Sequence, residues 1–135
     1  MNYAEIDRNS RLKGCVHFRW HEAIPANRPF PTDVRLLQNI LALGRYMDSV
    51  RNYLGGQPIY VTSWYRDRAT NIRVGGSRNS QHLYGNAVDF YCNHMYPAKV
   101  YYLLDNWHGN KGGLGLYKTH IHLDLRGHRA RWDYR

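Results

Sequence analysis

His120-Ile121-His122-Leu123-Asp124-Leu125 is the stretch on which the fold turns. Polar and aliphatic residues alternate strictly along it. In a strand, successive side chains point to opposite faces, so His120, His122 and Asp124 share one face and Ile121, Leu123 and Leu125 the other. The aliphatic set belongs against a core, which leaves three titratable groups presented together on the opposite side. Two readings of that polar face stay open on pattern alone: a solvated strand that happens to carry two histidines, or part of a chemical site.

Outward from this strand the other elements follow. Leu114–Tyr117 is a strand candidate just before it, and Gly112-Gly113 closes a helix that Pro97 opens and Val100, Leu103, Leu104 and Trp107 carry. Ala87–Tyr91 and the β-branched, aromatic run Ile59–Tyr65 read as two more strands. Val34, Leu37, Ile40, Leu41, Met47 and Leu54 recur at helical spacing and stop at Gly55-Gly56. Thr32 is the expected N-cap of that helix, with Asp33 in the first turn where a negative charge suits the helix dipole. Pro25, Pro29 and Pro31 mark an irregular connection. No internal repeat or long linker divides the chain. The expectation is one α+β domain over 1–135, helices packed on a small, mostly antiparallel sheet. Residues 1–31 are expected to be irregular, with a motif-bearing core at about 58–132.

At 135 residues, 43% hydrophobic and 14% aromatic, the chain has the material for a core of its own. Nineteen Lys and Arg against ten Asp and Glu give a net charge of +9, which favours polyanionic partners. Nucleic acid, an anionic membrane and an anionic cell-wall polymer all qualify, and charge alone does not choose. Cys15 and Cys92 do not make a disulfide framework, and reduced, structural thiols are the expectation. The polar start, Met1 to Glu5, has no apolar run behind it, and nothing approaches a membrane span, so a protein that is cytoplasmic when synthesised is expected.

A second chemical motif lies at Ser80-Gln81-His82-Leu83-Tyr84-Gly85-Asn86-Ala87-Val88-Asp89. A glycine between His82 and Asp89 lets the backbone turn so that both side chains can aim at one place. Imidazole nitrogen and carboxylate oxygen are both normal zinc donors, although a His and an Asp seven apart are common by chance. Taken together, Ser-x-His-x-x-Gly-x-Ala-x-Asp followed by His-x-His-x-Asp resembles the zinc D-Ala-D-Ala carboxypeptidases and the related L,D- and D,D-endopeptidases of cell walls. Those share their core with the hedgehog signalling domain and the lysostaphin-type peptidases. The Ser63-Trp64-Tyr65-Arg66 segment, the run from Asn71 to Gly76, Leu125-Arg126-Gly127 and Ala130-Arg131-Trp132 add to the likeness, which spans about Pro58 to Trp132.

The resemblance implies roles. His82, Asp89 and His122 match the three ligands of a single zinc, with a fourth position for water whose pKa such a site lowers to about 7. Arg66 matches the arginine that stabilises the polarised carbonyl or binds a substrate carboxylate. Ser80 and Asn71 match peptide-positioning groups. The best-known dipeptidases of the family carry Glu three residues before the last ligand. Here that residue is Thr119, so the base or transition-state stabiliser is expected to be His120. Asp124 is expected to orient His122 or to pair with Arg126, the structural role being favoured. The implied activity is zinc-dependent hydrolysis of peptidoglycan stem peptides, as carboxypeptidase or endopeptidase, with electrostatic attraction to the anionic wall. A catalytically idle, zinc-holding binding module of the same fold is the alternative. A nucleic-acid-binding domain would explain the charge but neither motif. Cys15, His17 and His21 lack a completing pair for a metal site, and His94, His108 and His128 read as surface histidines. Tyr84 and Trp107 are candidates for a cleft wall.

Overall fold

A computed structural model describes residues 6–135; Met1 to Glu5, on which the expectation about a leader segment partly rested, lie outside the described residues. Among these the order of elements is α1 (Trp20–Ala23), α2 (Val34–Tyr53), β1 (Tyr60–Ser63), α3 (Arg68–Arg73), a 3-10 turn (Gln81–Tyr84), β2 (Ala87–Tyr91), α4 (Pro97–His108), a second 3-10 turn (Gly109–Lys111), β3 (Gly113–Leu116), β4 (Ile121–Asp124) and β5 (Ala130–Asp133). The strands form one sheet ordered β1-β2-β4-β3-β5. Every neighbouring pair is antiparallel except β3 with β5, which is parallel. The α+β architecture with a mostly antiparallel sheet is therefore as the pattern reads. No helix among the described residues is long and apolar enough to cross a membrane.

The helix of residues 34–53 buries Leu37, Ile40, Leu41, Leu43, Gly44, Met47 and Val50. Its N-cap is Asp33 rather than Thr32: Asp33 keeps an extended backbone, and its carboxylate accepts the backbone N–H of Arg35 at 2.9 Å. The cap thus stands one residue later than expected, where a carboxylate faces the unpaired N–H groups of the first turn. The inner face of the sheet, Val88 and Phe90 of β2, Leu114 and Leu116 of β3, Ile121 and Leu123 of β4, joins α2 and α4 in one core at 0–1% exposure. Each such side chain contributes about 1.5–3 kcal/mol by leaving water. The segment expected to be irregular is partly ordered into α1 and packs here too: Leu12, Phe18, Trp20, Ala23 and Ile24 are all buried. Cys15 and Cys92 are buried free thiols.

His108 is not a surface histidine. It ends the inward row Val100, Leu104, His108 of α4 and is 0% exposed. Its Nε2 lies 3.1 Å from the Gly113 carbonyl and 3.0 Å from that of Asp124; two acceptors there require the proton on Nε2. Nδ1 is then free to accept the Tyr46 hydroxyl at 2.7 Å. The ring is neutral and fully satisfied, and burial, with Arg131 adding, pushes its pKa below the ordinary 6.5 against the two carbonyls. Below pH 6.5 the unfolded chain binds a proton that the folded chain refuses, so this contribution is complete above that pH and is lost as pH falls through it. Urea unfolding at pH 7.5 and pH 5 is expected to show a larger acid loss in the wild type than in His108→Gln.

The other face of the sheet carries the polar row. Ser63 of β1 is opposite Asp89 of β2, Asp89 is opposite His122 of β4, His122 is opposite Gly115 of β3, and Gly115 is beside Trp132 of β5. One line of residues thus crosses all five strands on the outer face. Gly115 has a reason to be glycine: an added Cβ would lie 2.3 Å from the Trp132 indole nitrogen, which rests over it.

Candidate metal centre

Three elements deliver the donor atoms. Asp89 and His122 are direct cross-strand partners, so the sheet register alone sets them side by side. His82 arrives from the 3-10 turn, whose end is Gly85 in the left-handed region at φ 69°. A Cβ on Gly85 would also strike Ile40 and the Leu36 carbonyl of α2, so both the turn and the helix packing require glycine. Ser80 caps the turn, its Oγ accepting the His82 N–H at 3.2 Å. His82, Asp89 and His122 can each bring a donor atom within 4.8 Å of the others, and they form the only such group among the described residues.

The hydrogen bonds around the two imidazoles fix which nitrogen each presents. His82 Nδ1 is 2.6 Å from the Trp64 carbonyl and His122 Nε2 is 2.7 Å from Asp124 Oδ2, both of which only accept. In the neutral rings those nitrogens carry the protons, and the opposite ones, His82 Nε2 and His122 Nδ1, turn lone pairs toward Asp89 Oδ1 at 3.2 and 3.0 Å. With both rings neutral, three acceptors converge there, an arrangement that a bound cation or an added proton satisfies. Tetrahedral bonds of about 2.0 Å separate neighbouring donors by roughly 3.3 Å, so the spacing suits a zinc-sized ion. Burial opposes ionisation of Asp89, but the His122 and His82 imidazoles beside it outweigh burial and hold the carboxyl well below the usual range. Burial likewise opposes a charged His122, and its two carboxylate partners reverse the balance and raise its pKa.

Asp124 is 0% exposed and accepts five bonds: from His122 Nε2, the Gly113 N–H, and the backbone, Nε and Nη2 of Arg126. It both orients His122 and pairs with Arg126, so the two roles are one. Arg66 spans the other side of Asp89, its Nη2 3.3 Å from Oδ2, Nε 3.0 Å from Ser63 Oγ, and Nη1 3.4 Å from Asn71 Oδ1. Asn71 is buried behind it and donates to the Ser77 carbonyl, so both ends of its amide are occupied holding Arg66 and the loop.

These groups open into a cleft of ≈ 490 Å³, whose lining includes Arg66, Ser80, the three donors, His120 and Arg126. His120 stacks on Tyr117 at 4.5 Å and 8°, and its Nδ1 lies 3.2 Å from Thr119 Oγ1. Burial lowers its pKa; Asp89 opposes this, while His122, His82 and Arg66 add to it. Tyr117, Trp132 and Tyr134 wall the cleft. Tyr84 and Trp107 do not: Trp107 stacks on Tyr53 at 4.9 Å, and Tyr84 lines a separate hollow beyond Arg66, with Asp33, Leu36, Asn39 and Tyr65. The alternating Ala130-Arg131-Trp132-Asp133 strand was the signal for this wall, but it is short and lacks β-branched residues.

Three donors able to hold a metal ion, set in a cleft with their histidines braced by a carbonyl and a carboxylate, have the make-up of an open, three-ligand zinc site. The chain belongs to the Peptidase M15 family, whose sequence model matches residues 3–124. It is also similar to the zinc D-Ala-D-Ala carboxypeptidase of Streptomyces albus G, at 40% identity over 43 residues. That stretch covers 32% of this chain and 17% of the length of the relative.

Proposed function

We propose that this chain is a zinc-dependent peptidase acting on the stem peptides of bacterial peptidoglycan, with one zinc held by His82, Asp89 and His122. The observation that carries the reading is the convergence of three lone-pair donors on one point at the floor of an open cleft. Family membership and the similarity to a zinc D-Ala-D-Ala carboxypeptidase support the metal and the substrate class. Bound there, zinc polarises a carbonyl as a Lewis acid and lowers the pKa of coordinated water.

The residues of the chain do the rest. Arg66 neutralises Asp89 and keeps two N–H groups for a substrate oxygen. His120, kept neutral by its surroundings, takes and returns the proton in place of the missing glutamate. The net charge of +9 steers the protein to an anionic wall. Release of new amino groups from purified peptidoglycan, abolished by a chelator and restored by zinc, tests the activity. Release of free D-Ala separates carboxypeptidase from endopeptidase action. His120→Ala is expected to lower kcat by about 10²–10⁴-fold with zinc content unchanged. Thr119 in the family's glutamate position favours a second reading, an idle zinc-holding binding module, which predicts stoichiometric zinc without turnover on any wall peptide.

A further inference from the structure

Tyr117 stands immediately after β3, and its backbone N–H donates to the His120 carbonyl, closing the β3–β4 turn at the lip of the cleft. Its ring is fixed on one side by the stack on His120 and is met edge-on by Tyr134 at 5.8 Å and 73°. The hydroxyl is fixed as well. Trp132 Nε1 lies 3.0 Å from Tyr117 Oη, and an indole N–H can only donate. The phenol oxygen is therefore the acceptor, and its own O–H remains to be given elsewhere. Among the described residues it is given to none, although Tyr117 lines the same cleft as the metal donors.

Trp132 is itself held tightly. Its indole sits over Gly115 with the His122 ring 5.1 Å to one side, and the Arg126 guanidinium lies 5.2 Å from its ring centre. Arg126 in turn is anchored on Asp124, the carboxylate that braces His122. The set of contacts that orients the metal donor thus also orients the tyrosine hydroxyl. Arg66, which lines the same cleft, has committed Nε and one N–H of each terminal nitrogen to Ser63, Asn71 and Asp89. A neutral donor held in place, sharing the cleft with a partly committed arginine, is what a developing oxyanion needs, because the field is in place before the charge appears.

We propose that Tyr117 is a catalytic residue of this cleft: its hydroxyl, held by Trp132, donates a hydrogen bond to the substrate carbonyl oxygen as negative charge gathers there. The proton stays on the tyrosine throughout, and no bond to Tyr117 forms or breaks. The inference rests on the peptidase reading above. It assigns His120 and Tyr117, stacked together, to different tasks: one moves a proton and the other stabilises charge.

Tyr117→Phe keeps the ring, the stack on His120 and the turn, and removes only the hydroxyl. In the zinc-loaded full-length chain, kcat on a stem peptide is expected to fall about 10²-fold with KM within a factor of a few, the signature of a contact made in the transition state. Calorimetric affinity for a phosphinate analogue of that peptide is expected to fall at least about tenfold, while affinity for its uncleavable reduced-amide isostere, which offers no carbonyl oxygen to the hydroxyl, holds. Zinc content and melting temperature are expected to match the wild type. Trp132→Phe, which leaves the hydroxyl present but unaimed, is expected to give a smaller loss of kcat. Wild-type kcat and phosphinate affinity in Tyr117→Phe, a change in KM alone, or loss of zinc from the variant would each overturn the assignment. A wild type that neither turns over nor binds the phosphinate would overturn the peptidase reading itself, and the role of Tyr117 with it.

Discussion

Replacing Asp89 with alanine is expected to empty the metal centre and to lower turnover on the order of 10⁴-fold. The carboxylate is the one anion among three donors, and it faces both imidazole lone pairs at 3.0–3.2 Å. Without it two neutral nitrogens remain, too few to hold zinc at ordinary concentrations. The Lewis-acid contribution lost with the ion is several kcal/mol, at about 1.4 kcal/mol per tenfold in rate. Stability falls too, because Arg66, whose side chain is 16% exposed, loses its counter-charge and keeps only Ser63 and Asn71 as partners. An uncompensated cation at that depth costs about 3 kcal/mol. Zinc analysis, kinetics and urea unfolding of the same preparation check the three parts. A variant that still holds zinc would contradict the donor assignment even if it were inactive.

Asp124→Ala is expected to be the most destabilising single substitution at the site. The side chain is fully buried and collects five hydrogen bonds, so its removal strands the Gly113 N–H, the His122 Nε2–H and part of a guanidinium at once. A loss of about 3–5 kcal/mol follows, read as a drop in melting temperature of roughly 10 °C or more. The metal consequence is separate. Freed from Asp124, His122 can rotate or exchange its proton between nitrogens, and zinc affinity should fall about 10–100-fold. Competition with a chromophoric chelator measures it. A lower melting temperature with unchanged zinc affinity would reduce Asp124 to an anchor for Arg126.

Much of the site is legible in the sequence because its geometry is local or register-driven. The alternation from His120 to Leu125 sets a face, Gly85 sets a turn, and antiparallel pairing of two short strands then puts His122 opposite Asp89. What stays hidden depends on distant packing. His108 sits before Gly109 and reads as a surface residue, yet its spacing from Val100 and Leu104 is the helical repeat of a buried row, and three polar partners from three other segments satisfy it. The strand of Trp132 pairs in parallel with β3, a long-range choice that no local pattern announces. Asn71 carries the residue type expected of a peptide-binding group, but its neighbours turn both of its polar ends inward.

In the proposed function His82, Asp89 and His122 hold one zinc and the cleft hydrolyses wall peptides. Metal analysis of the purified wild type and of His122→Ala, run beside amino-group release from peptidoglycan, tests it most directly. The expected result is about one zinc per chain with turnover in the wild type, and loss of both in the variant. No zinc in the wild type, with His122→Ala indistinguishable from it, would contradict the account.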